Sequence, residues 1–174
     1  MEQKENVQQA KTKKRLVIFL FLSLIIGFGV VLAFNQQKKL PSNGTGISGY
    51  VIGEGIEPNL TPEQIQEMLD REVDASKISF SIYSEPIFNG KVGKVMFANP
   101  PYSAHDIDLT ITLDGKEIVK TGKISPNQYI EDIELLGKEL EKGEYVGTGL
   151  ITAYNQETGE KVGQAAVEMH ITAE

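Results

Sequence analysis

The feature that most limits this chain is one uninterrupted apolar run. Residues 16–34, LVIFLFLSLIIGFGVVLAF, are 19 residues without a charge, and Ser23 is the one polar side chain among them. A helix rises about 1.5 Å per residue, so a run of this length just crosses a hydrocarbon layer of about 30 Å. A soluble helix that is apolar on every side needs a large core around it, and a chain of 174 residues is too small to provide one. Lys11, Lys13, Lys14 and Arg15 crowd the start of the run, while Lys38 and Lys39 follow its end. The heavier basic flank predicts a cytoplasmic tail over residues 1–15, a transmembrane helix over residues 16–34, and everything after it outside the cytoplasm. The rival reading is a cleaved signal peptide, with Val31-Leu32-Ala33 as its small-residue site. Against it, the run exceeds the apolar stretch of about 7–15 residues usual in such leaders, and the site lies inside the run. No cysteine follows, which excludes a lipoprotein anchor.

Charge divides at the same boundary. Residues 1–34 hold five basic and two acidic side chains, so of the chain's 17 and 24 the remainder carries 12 and 22, a balance of −10. An acidic ectodomain makes a poor nucleic-acid binder, because phosphate contacts need clustered Lys and Arg. It is also repelled by anionic lipid. With no cysteine in the chain, a domain outside the cytosol must hold together on its apolar core, without disulfides.

Residues 35–60 are rich in Gly, Ser, Asn and Pro and read as a flexible linker. A short amphipathic helix is expected over residues 61–74. Thr61 can cap it, Pro62 suits its first position, and Gln64 completes a capping box. Ile65, Met68, Leu69 and Val73 share one face at helical spacing. That face either packs on the end of the following domain or docks a partner close to the membrane.

From residue 77 onward the period changes to two. Ile78, Phe80 and Ile82 alternate with polar neighbours, residues 92–98 form an apolar stretch, and Ile107, Leu109, Ile111 and Leu113 alternate with Asp106, Asp108, Thr110 and Thr112. The last of these is a strand with one buried and one wet face. Asp114-Gly115 turns it into a hairpin whose return strand is residues 117–124. Further strands are expected over residues 129–135 and 144–154, and then one with Ala165, Val167, Met169 and Ile171 facing inward. The fold class is therefore mainly β, with residues 77–174 expected to form a seven-stranded immunoglobulin-like sandwich. The run from Leu140 to Tyr145 reads L-x-x-G-x-Y at the start of the sixth strand. That is where a tyrosine corner belongs, with the Tyr145 hydroxyl bonded back to upstream backbone. Gly147 stands where antibody domains carry their second cysteine, and the chain has no Trp.

Phe97-Ala98-Asn99-Pro100, the strand ending in Asp114-Gly115, the run from Gly122 to Pro126, the run from Leu140 to Tyr145, and Ala153-Tyr154-Asn155 ahead of Glu157-Thr158-Gly159 together resemble small single-pass, membrane-anchored surface proteins of Gram-positive bacteria. The resemblance covers roughly residues 78–172. Its motifs are turns and core positions, so it implies architecture and location: an N-terminal anchor and one C-terminal sandwich at the cell surface. It implies no activity.

The side chains argue against an enzyme. A thiol nucleophile and a cysteine-based zinc site are excluded. Ser103, His105 and Asp106 are close in sequence, but such neighbours point to different faces, and no nucleophile elbow surrounds them. Asp106 and Asp108 share a strand face, yet no calcium-loop motif accompanies them, and solvated carboxylates are the plainer account. No metal or cofactor is expected. Candidate contact residues are Tyr102 and His105, in a proline-stiffened loop that also holds Asn99, Pro100 and Pro101, and Ile65, Met68 and Leu69 on the helix. Three functional readings follow. The first is a membrane-anchored interaction module that binds a protein or glycan outside the cell. The second is a scaffold subunit of a secretion or conjugation apparatus, and the third an accessory of a secreted enzyme.

Overall fold

Alternating sequences fold into paired strands, and strands are what most of residues 77–174 form. The structure, a computed structural model, describes residues 40–174 apart from residues 42, 44 and 45. The expected tail 1–15 and transmembrane helix 16–34 lie outside the described residues. Among the described residues no helix is long and apolar enough to cross a membrane.

The described residues are mainly β. Their strands are β1 (Tyr50–Glu54), β2 (Ile87–Asn89), β3 (Val92–Asn99), β4 (His105–Leu113), β5 (Lys116–Lys120), β6 (Gln128–Glu134), β7 (Gly143–Asn155) and β8 (Lys161–Ala173), with one helix among them, α1 (Pro62–Leu69), between β1 and β2. All eight strands join in one mixed sheet in the order β1-β6-β3-β2-β8-β7-β4-β5. The short β2 is the joint: it runs antiparallel to β3 and parallel to β8. The sheet curls until its two ends meet, where the Ser48 amide donates to the Lys120 carbonyl at 2.8 Å and the Gly122 amide to the Tyr50 hydroxyl at 2.8 Å.

The enclosed face carries the apolar side chains that alternation assigns to it: Val95 and Phe97 from β3, Ile107, Leu109 and Ile111 from β4, Ile130 and Ile133 from β6, Ile151 from β7, Met169 and Ile171 from β8, with Phe88 and Ile124. At Asp114 and Gly115 the backbone has φ of 50° and 76°, the left-handed pair that a tight β4–β5 turn needs. Helix α1 starts as expected. The Gln64 amide donates to the Thr61 hydroxyl at 3.3 Å, and the Thr61 amide donates to Gln64 Oε1 at 2.8 Å.

Three expectations are corrected. Residues 35–60 are not linker throughout, because β1 lies inside them and pairs with β6. Tyr50 is buried, and Gly53, which reads as a mark of flexibility, makes room for an aromatic ring: a Cβ there would stand 2.3 Å from Tyr129 Cζ. Among the described residues the sheet gains an eighth strand, β1, from outside residues 77–174, and the alternating residues 78–82 form no strand. They touch β3 through one bridge, Ser81 to Ala98, and the short β2 takes up the pairing further along. The helix ends at Leu69 rather than residue 74. Past the cap at Asp70, the Asp74 carboxylate turns onto the Ser76 amide (3.0 Å), a local bond that competes with helix.

Candidate functional site

The loop singled out in the sequence serves the fold. Asn99 is buried, and its Nδ2 donates to the carbonyls of His105 (2.8 Å) and Ile124 (3.0 Å). His105 is 7% exposed at the start of β4, and its Nε2 lies 3.0 Å from the Ala75 carbonyl oxygen. A carbonyl only accepts, so Nε2 carries the proton. The Ser103 hydroxyl bonds to the backbone of His105 rather than its ring, and no Ser–His relay forms. Tyr102 accepts a hydrogen bond from Arg71 at 3.1 Å, and the guanidinium carbon lies 5.2 Å from its ring centre. Tyr102 and His105 thus hold the segment that follows α1.

The helix face is open. None of its residues is buried; Leu69 is 57% exposed and Val73, beyond the helix, 64%, while Ile65 and Met68 are half-buried. The Tyr145 hydroxyl donates to the Glu141 carbonyl at 2.5 Å, tying the start of β7 to the turn before it. Asp108 accepts from the Tyr154 hydroxyl at 2.6 Å, and burial, helped by this carboxylate, pushes that hydroxyl's pKa up. Among the described residues no three His, Asp or Glu side chains gather to hold a metal ion.

A concavity elsewhere among the described residues contains none of the residues expected to make contacts. It arises from an irregularity in β3. Lys94 pairs with Asp132 and Phe97 with Ile130, so Val95 and Met96 together stand opposite Glu131 alone. This is a β-bulge, which bends a strand and redirects side chains. Met96 has φ of 38°, a left-handed conformation that is uncommon and strained for a side chain of its size. The bulge also changes what β3 bonds to. The Val95 carbonyl accepts from the Tyr83 amide at 2.9 Å, which fixes residues 81–83 as a wall.

The result is an open cleft of about 720 Å³. Met96, Ile82, Tyr83 and Ile87 line it, together with Pro58, Asn59 and Leu60 from the segment between β1 and α1. Its lining is mainly apolar, and Tyr83 and Ile87 are 52% and 47% exposed. The charged groups at the lip are Glu57, Lys94 and Glu174. Lys94 pairs with Glu131 at 2.9 Å. Glu57 accepts from the Ser81 hydroxyl at 3.3 Å; burial pushes its carboxyl above the usual range, and this bond only partly offsets the rise. The site offers apolar surface, one aromatic face and carboxylate charge. Such a surface can hold a ligand.

The chain matches no protein-family model and no curated protein.

Proposed function

We propose that the chain is a single-pass membrane protein of a bacterial surface whose residues 40–174 form an extracytoplasmic, non-catalytic binding module of immunoglobulin-like type. The anchor rests on residues 16–34 and their basic flank, and the Gram-positive surface setting on the motif resemblance over residues 78–172. The immunoglobulin-like reading is supported by strand order. In the order β6-β3-β2-β8-β7-β4-β5, the short β2 links one group of neighbours, β6 and β3, to another, β8, β7, β4 and β5, and two packed groups of strands are what such a sandwich needs. On this reading the sandwich proper is β2–β8, β1 is an added edge strand, and Tyr145 is its tyrosine corner.

The observation that carries the binding function is the cleft beside Met96. Concave, mostly apolar sites with a few polar groups are where proteins hold ligands, and backbone strain and bulges concentrate at such places. A scaffold subunit is the second reading, favoured by the open helix face at Leu69 and Val73.

Photocrosslinking separates the two. A benzophenone amino acid is placed at Tyr83 or at Leu69 of the full chain in intact host cells. A protein or glycan partner crosslinked from position 83, and lost when Ile87→Ser opens the cleft wall, supports the module. Crosslinks to membrane proteins from position 69 alone support the scaffold and refute the cleft as the working site.

A further inference from the structure

The cleft's chemistry narrows what it takes. We propose that it holds an extended peptide segment of a partner protein in which a lysine or arginine stands next to an aliphatic or aromatic residue; this rests on the cleft being the binding site. The apolar neighbour enters between Met96, Tyr83 and Leu60. The cation reaches the lip, where Glu57 and Glu174 stand.

Three observations point this way. The first is charge. Lys94 is already matched by Glu131 at 2.9 Å, so the lip keeps the two carboxylates Glu57 and Glu174 against no free cation among the cleft's described residues. The second is Glu57 itself. It sits half-buried at the edge of an apolar surface, and its hydrogen bond among the described residues is a single long one, 3.3 Å, from a neutral hydroxyl. A carboxylate withdrawn from water with so little compensation gains most from an approaching cation, since charge-assisted bonds are roughly twice as strong as neutral ones. The third is Tyr83. Its ring is half exposed beside these acids, and an aromatic face accepts both the methylene stem of Lys or Arg and its charge. At longer range, the balance of −10 over residues 35–174 draws basic partners and repels anionic lipid. That favours a peptide over a membrane surface as the occupant.

The test uses the full chain in phosphatidylcholine nanodiscs. A phage library of random dodecapeptides is panned on it and depleted on empty nanodiscs, and the affinities of the selected peptides are read by fluorescence anisotropy. Selected peptides should carry Lys or Arg within two residues of an aliphatic or aromatic side chain. Their affinity should fall about tenfold on Glu57→Gln and should be lost on the double change Tyr83→Ser, Ile87→Ser, with the thermal midpoint confirming that each variant folds. Peptides that need Tyr83 and Ile87 but carry no cation, or that ignore Glu57→Gln, overturn this inference and leave the cleft as a binding site. Competition by phosphatidylcholine vesicles puts a lipid headgroup in the cleft and overturns the peptide. If no selected peptide depends on Tyr83 and Ile87, both the inference and the cleft reading fall.

Discussion

The joint at β2 is the most sensitive point of the fold, and Gly93 tests it. Gly93 on β3 faces Phe88 on β2, and Phe88 is fully buried. A Cβ on residue 93 would lie 2.5 Å from Phe88 Cδ1, 2.6 Å from Cε1 and 2.7 Å from Cγ. Carbon atoms in contact stay about 3.5–4.0 Å apart, so the ring must withdraw by about 1 Å. It has little freedom to do so. Interiors are close-packed, and β2 is held on both sides, by β3 and by β8. Overpacking of this kind costs about 1–3 kcal/mol. Replacing a strand glycine by alanine returns roughly 0.5–1 kcal/mol of backbone entropy. For Gly93→Ala the net loss is therefore about 1–2 kcal/mol, a fall in the thermal midpoint of roughly 4–8 °C for a domain between the size classes for which such shifts are known.

The assay is thermal unfolding of the full chain in detergent, followed by far-ultraviolet circular dichroism, run as a double-mutant cycle. In a Phe88→Leu background the ring is gone, and the penalty of Gly93→Ala should shrink to near zero, giving a coupling of about 1–2 kcal/mol. A midpoint that does not move on Gly93→Ala, or an equal penalty in both backgrounds, refutes the argument that the Phe88 ring occupies the space a Cβ would need.

Three further outcomes follow from the same contacts. Asn99→Ala removes two buried bonds, to the His105 and Ile124 carbonyls, which keep the Ser103 hydroxyl and the Ile107 amide as second donors; at about 0.5–1.5 kcal/mol per bond it should lower stability by roughly 1–3 kcal/mol, read from the urea midpoint. Tyr145→Phe removes the bond to Glu141 and should cost about 1 kcal/mol, with faster amide exchange confined to residues near the turn before β7. Glu57 has its carboxyl raised in the folded state, first by burial, so its ionisation opposes folding: the stability present below its ordinary pKa is lost as pH rises through the raised value. Glu57→Gln should therefore gain on the native chain across that rise, with the gain constant at higher pH, as urea midpoints in a pH series will show.

Much of the fold is legible because one local signal decides each legible part. The Thr61–Gln64 box marks the start of α1, strict alternation marks β4, Asp114-Gly115 marks its turn, and the inward set Met169 and Ile171 marks β8. The misreadings have one cause, that tertiary pairing outweighed local signal. Tyr50–Glu54 is flanked by glycines and reads as linker, but Tyr129 needs a residue without a side chain at position 53, so the glycine that suggests flexibility is the one the strand requires. Residues 78–82 alternate well and still form no strand. Conversely β2, at three residues, is too short to show any period, yet it joins the two halves of the sheet.

The candidate site was less legible than the fold, and the bulge explains why. Positions with left-handed backbone usually declare themselves as Gly or Asn, and Asn59 on the cleft wall, with φ of 71°, does so. Met96 does not; in sequence it is one more apolar residue in a strand, indistinguishable from Val95 beside it. Only pairing with β6 shows that these two residues face one. The loop chosen from sequence, with its prolines, Tyr102 and His105, carried the usual marks of an exposed contact surface, but those marks are equally the marks of a loop that must anchor a passing segment, as Arg71 and Ala75 show. A single extra residue in β3 thus accounts for several features at once. It places Met96 in the lining of the cleft and the Val95 carbonyl on the Tyr83 amide.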